Sequence, residues 1–81
     1  MNVKILGTGC PSSQSMYNDV IRSIERNGWQ EVNVEYVRDL QRIMSYCVMA
    51  TPVLVINEKI VMIGQRGATK IEQALLDQGA A

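Results

Sequence analysis

The sequence has no histidine and no phenylalanine, and only two cysteines, two prolines and one tryptophan in 81 residues. Without histidine the commonest metal ligand and the commonest general base are both missing. That excludes a Ser-His-Asp triad, a Cys-His dyad and a zinc fingerprint, and no cofactor or metal is expected. Neither charge is in excess, since eight Lys and Arg balance eight Asp and Glu for a formal net charge of zero. Binding to DNA or RNA needs surplus cations to displace counterions from phosphate, so no nucleic-acid partner is expected. Long apolar runs are absent too. The longest, Val48 to Ile56, is interrupted by Thr51-Pro52 and falls far short of a membrane span. The stretch Met1 to Gly7 is too short, and too soon broken by glycine, for a signal peptide. Two cysteines make a poor disulfide framework for a secreted domain. A cytoplasmic, reducing setting without a membrane partner is therefore the expectation.

What is present is the composition of a folded domain. Apolar residues at 47% and charged residues at 20% are outside the range of a disordered tail. A second core would have too little apolar surface to bury at this length, so one domain over residues 1–81 is expected.

The elements follow one another without linkers or repeats. Residues 2–6 read as a short strand, ended by Gly7-Thr8-Gly9. Cys10-Pro11 then opens a helix, because proline at the first helical position has a suitable fixed backbone angle and needs no N–H there. Met16, Tyr17, Val20, Ile21 and Ile24 form its apolar stripe, and Asn27-Gly28 is a natural stop. Residues 32–37 alternate, with Val32, Val34 and Tyr36 against Asn33 and Glu35, which predicts a strand. Asp39 is placed to cap a second helix carrying Leu40, Ile43, Met44 and Cys47 at i, i+3, i+4 and i+7. Val53 to Ile56 is a fully apolar strand, and the Asn57-Glu58 turn folds Lys59 to Ile63 back antiparallel to it. After a loop over Gly64 to Gly67, Thr69-Lys70-Ile71-Glu72 has capping-box spacing, with Ile71, Ala74 and Leu75 as the last helix's apolar face. The order is β-α-β-α-β-β-α. Strands joined through a helix should run parallel with a right-handed crossover, and the final hairpin makes the sheet mixed. Four strands with helices on both faces match a thioredoxin-like α/β fold.

The chemistry centres on Cys10. The thiolate is the nucleophile of cysteine chemistry, and the first turn of a helix favours it through unpaired N–H groups and the positive end of the dipole. The flanking Gly7, Thr8 and Gly9 are small enough to leave room for a second chain beside the sulfur. A lone cysteine is ordinarily a small buried hydrophobe. The succession of strand, glycine-rich turn, Cys-Pro and helix shifts the reading to a reactive thiol.

Gly7-Thr8-Gly9-Cys10-Pro11 resembles the active-site turn of the small thioredoxin-like proteins known as redox-active disulfide proteins, relatives of thioredoxin and glutaredoxin. The segment 47–57, Cys-Val-Met-Ala-Thr-Pro-Val-Leu-Val-Ile-Asn, resembles the same family's cis-proline segment. The likeness spans essentially the whole chain. It implies a cis Pro52 preceded by Thr51 and facing Cys10, with the Thr51 backbone available to pair with substrate. It further implies a substrate groove shaped by Thr8, Gly9, Pro11, Thr51 and Pro52, and a 64–67 loop near the active-site edge. The implied activity is thiol–disulfide exchange by a monomer, with disulfide-bearing proteins as substrates and a reductase or small thiol as electron donor.

One departure from the family pattern matters. Where the family carries Cys-x-x-Cys, this chain reads Cys10-Pro11-Ser12-Ser13. A dithiol reductase forms a mixed disulfide and then resolves it with its second thiol, a step that serine cannot perform. Three readings of Ser13 stand side by side: an engineered replacement of cysteine, a natural monothiol form freed by glutathione or another small thiol, or a site resolved by Cys47. The third is the weakest, because the stripe with Leu40, Ile43 and Met44 makes Cys47 a core residue. Two other functional classes remain open as well. One is a redox-silent module that docks a protein segment or glutathione at Cys10 and Pro52. The other is a monothiol-glutaredoxin-like carrier of an iron–sulfur cluster, which would need a basic glutathione site that the sequence does not display.

Other motifs carry less. Gly7-x-Gly9 lacks the third glycine of a dinucleotide turn, with Ser12 in its place, and lacks the Gly-Lys ending of a P-loop. Met1, Met16, Met44, Met49 and Met62 read mostly as gap-filling core residues and not as a soft-metal site. Trp29 is expected to staple the end of the first helix.

Overall fold

The computed structural model describes residues 1–48 and 50–79, so Met49 of the methionine set and the last two positions of the 1–81 span lie outside the described residues. Seven elements run in the order β1 (Asn2–Leu6), α1 (Pro11–Asn27), β2 (Asn33–Val37), α2 (Leu40–Ser45), β3 (Val53–Ile56), β4 (Lys59–Ile63) and α3 (Ala68–Asp77). The strands form one sheet in the order β2-β1-β3-β4. β1 and β2 pair in parallel, as the helical connection between them requires, while β1–β3 and β3–β4 are antiparallel. This is the mixed sheet of a thioredoxin-like fold.

Local chemistry accounts for the element boundaries. Pro11 occupies the first turn of α1, and Gly28 ends the helix at φ 66°, where glycine meets no steric penalty. Half-buried Trp29 packs against the core just beyond, its backbone N–H donating to Ile24 O at 3.2 Å. Asn57 and Glu58 both take positive φ, 52° and 65°, giving the tight turn between β3 and β4, whose pairing shifts register once, between Leu54 and Val55.

The sheet divides two cores. On one face Val3, Ile5, Leu54 and Ile56 meet Met16 and Val20 of α1 and Ile71 and Leu75 of α3. On the other, Leu6, Val37, Val53 and Val55 are covered by Ile43 of α2. All four residues of β3 are buried, because helices cover both of its faces. Among the described residues, no helix is long and apolar enough to cross a membrane.

Two local expectations are corrected. The apolar stripe assigned to the second helix does not form: Ile43 is buried, but Leu40 and Met44 are 58% and 64% exposed. The helix has only six residues, too few turns to lay a continuous face on the sheet. Cys47 falls past its end, exposed and at φ 59°, a conformation that favours glycine. It is not a core residue. The capping box at Thr69 is also absent. Helix α3 begins earlier, with Gly67 as N-cap and no side-chain cap, so Thr69 lies inside the first turn. The Glu72 carboxylate instead accepts hydrogen bonds from Arg26 and Asn27 of α1, each at 2.7 Å. A charged partner across the helix pair outcompetes a backbone N–H for that carboxylate.

Candidate functional site

Strand register brings the sequence-predicted residues to one end of the sheet. Leu6 pairs with Val37 on one side and with Val53 on the other, and Val53 pairs with Ile63. The residues immediately beyond these positions therefore converge: the turn 7–10, Arg38, the Thr51-Pro52 bend and Gly64. Backbone bonds tie the junctions, from Gly7 N–H to Val37 O at 3.0 Å and from Gly64 N–H to Pro52 O at 2.7 Å. The Thr51–Pro52 peptide is cis, with Pro52 buried and Thr51 exposed. Thr8, Gly9 and Pro11 are exposed around Cys10. The 64–67 loop is held to the same region, because Gln65 Nε2 donates to Ser15 Oγ at 3.0 Å and to Asp19 Oδ2 at 3.2 Å on α1.

Cys10 is the N-cap of α1, with extended backbone at φ −70° and ψ 161°, and its carbonyl accepts the first helical bond from Gln14 N–H at 3.0 Å. Its side chain is half-buried and unpaired with any other cysteine. Sγ lies 3.4 Å from Ser13 Oγ. Ser13 is fully buried, and its hydroxyl also lies 2.9 Å from Cys10 O and 2.6 Å from Tyr36 Oη. The thiol pKa is lowered from its ordinary value. The first cause is the hydrogen bond from Ser13 Oγ, followed by the Ser13 backbone N–H, against an opposing effect of burial. The helix terminus contributes, but a side chain leads.

The neighbouring glycines fit this packing. A Cβ on Gly7 would stand 2.3 Å from Ser13 Cβ, so only glycine lets the first turn of α1 settle onto the end of β1. Gly9 has φ 93°, and a Cβ there would stand 2.5 Å from Arg38 Nη2.

Two residues at this end of the sheet were not singled out from the sequence. Tyr36 reaches Ser13 with its hydroxyl while its ring stacks on Tyr17, centroids 5.2 Å apart and planes at 22°. Arg38 lays its guanidinium carbon 5.7 Å from the Tyr36 ring centroid. The parallel pairing of β1 and β2 was the available signal, since it brings the C-terminal end of β2 beside the turn after β1. Cys47 follows α2, which packs on the face of the sheet opposite α1, and its thiol is free and exposed.

Chemically, the arrangement presents a partly exposed sulfur with its anion stabilised, beside a buried hydroxyl that cannot itself form a disulfide. No curated protein and no solved structure shows significant similarity to the chain. A family model described as Thioredoxin domain matches residues 1–76, and the chain belongs to that family.

Proposed function

We propose that the domain carries out thiol–disulfide exchange as a monothiol, with Cys10 as nucleophile. The observation that carries this reading is the hydrogen bonding at Cys10, which favours the thiolate at a half-buried helix N-cap. The Cys10 thiolate attacks one sulfur of a substrate disulfide. A new Cys10–S bond forms, the substrate S–S bond breaks, and the departing sulfur leaves with the electron pair as a thiolate. Thr8, Gly9, Pro11, Thr51 and Pro52 form the groove for the substrate chain, with the exposed Thr51 backbone available to pair with it. Ser13 stands where a resolving thiol would be and steadies the Cys10 anion instead. Release of the product then requires an external thiol, either a small one such as glutathione or that of a reductase.

Cys47 is exposed, so the test uses a Cys47→Gly background, which suits the positive φ at that position. Incubated with a protein disulfide, this variant should accumulate a stable Cys10 adduct visible by mass, with turnover only after glutathione is added. Adding Ser13→Cys should release one equivalent of reduced substrate without glutathione, the domain's own dithiol ending as an internal disulfide. Absence of any adduct at Cys10 would overturn the reading.

A further inference from the structure

The exchange reading leaves open which disulfides the site prefers, and Arg38 bears on that question. Four basic residues, Lys4, Arg22, Arg26 and Arg42, are paired with carboxylates. Among the described residues Arg38 has no such partner. The carboxylate next to it in sequence, Asp39, accepts the Gln41 N–H at 3.0 Å as the cap of α2. The guanidinium of Arg38 belongs to an exposed residue. It lies over the Tyr36 ring at 5.7 Å and fills the notch left by the missing side chain of Gly9, the residue before Cys10. The planar guanidinium matches a carboxylate in both geometry and charge.

We propose that Arg38 makes Cys10 selective for disulfides that carry a carboxylate close to the attacked sulfur. The inference rests on the exchange reading above. The substrate carboxylate lies in the field of the Arg38 guanidinium while Cys10 attacks, and the leaving thiolate departs from the attacked sulfur on the side away from Cys10. A unit charge about 6 Å from the guanidinium in water changes the rate by roughly threefold, up for an anion and down for a cation. The two effects together give about a tenfold preference.

The test measures second-order rates of Cys10 adduct formation in the Cys47→Gly background with three aliphatic disulfides. These are dithiodipropionate, a dianion; cystamine, a dication; and hydroxyethyl disulfide, which is neutral. Each rate is divided by that of free mercaptoethanol with the same disulfide, which removes intrinsic reactivity. The neutral compound reports the thiolate population of each variant. The expected anion-to-cation ratio is about ten at low salt, shrinking in 0.5 M NaCl and falling to within twofold in Arg38→Gln. An unchanged ratio in Arg38→Gln, with the neutral disulfide still reacting, would overturn the role of Arg38 alone. Failure of all three disulfides to react would instead remove the exchange reading, and this inference with it.

Discussion

At the scale of single residues, the site turns on the one proton that Ser13 Oγ carries. With Cys10 protonated, the thiol donates to Ser13 Oγ and the Ser13 hydroxyl donates to the Cys10 carbonyl. When the thiol ionises, the Ser13 hydrogen can turn to the sulfur, provided another donor serves its oxygen. Tyr36 Oη, 2.6 Å away, is placed to be that donor. In the proposed exchange, Ser13 is thus a working member of the site and not a blank in a lost motif. Ser13→Ala removes the leading stabiliser of the anion and should slow alkylation of Cys10 at pH 7 by about three- to tenfold. Tyr36→Phe, which acts only through Ser13, should slow it less and have little further effect in the Ser13→Ala background. Both are read by rate of iodoacetamide labelling. Equal effects of Tyr36→Phe with and without Ser13 would contradict the relay.

At the scale of elements, caps and faces behaved differently under sequence reasoning. Asp39 was recognisable as a cap because its side chain has a local job, and it does accept the Gln41 N–H. Thr69 had the same spacing argument but not the structure, since its intended partner Glu72 faces Arg26 and Asn27 on another helix. Asp39→Ala should therefore cost about 1 kcal/mol of stability, whereas Thr69→Ala should change it by less than about 0.5 kcal/mol. Urea titrations of the two variants separate these outcomes. The strands, α1 and the β3–β4 turn were readable because their patterns are periodic or depend on glycine and proline. Two features were not. The stripe from Leu40 to Cys47 fits helical spacing, but six residues of helix bring only Ile43 to the sheet. Tyr36 looked like one more apolar strand position, and its hydroxyl gains meaning only from the parallel pairing that sets it beside Ser13.

At the scale of the whole molecule, two cores on either side of a four-stranded sheet support a site at one sheet end, and the ionisation of Cys10 is coupled to folding. Its folded pKa lies below the ordinary value, so between the two the unfolded chain binds more protons than the native one. Stability of the reduced protein should consequently rise with pH through that window, and the gain should disappear as pH falls through the folded value. Chemical denaturation across pH should show this rise in the parent and a flatter profile in Cys10→Ala. The central claim is that this fold favours the Cys10 thiolate, lowering the thiol's pKa below that of an unstructured cysteine. The most direct measurement is the rate of Cys10 alkylation against pH in the Cys47→Gly background, followed by mass. The account predicts an inflection below that of an unstructured peptide spanning residues 7–13. An inflection at or above the peptide's would contradict it.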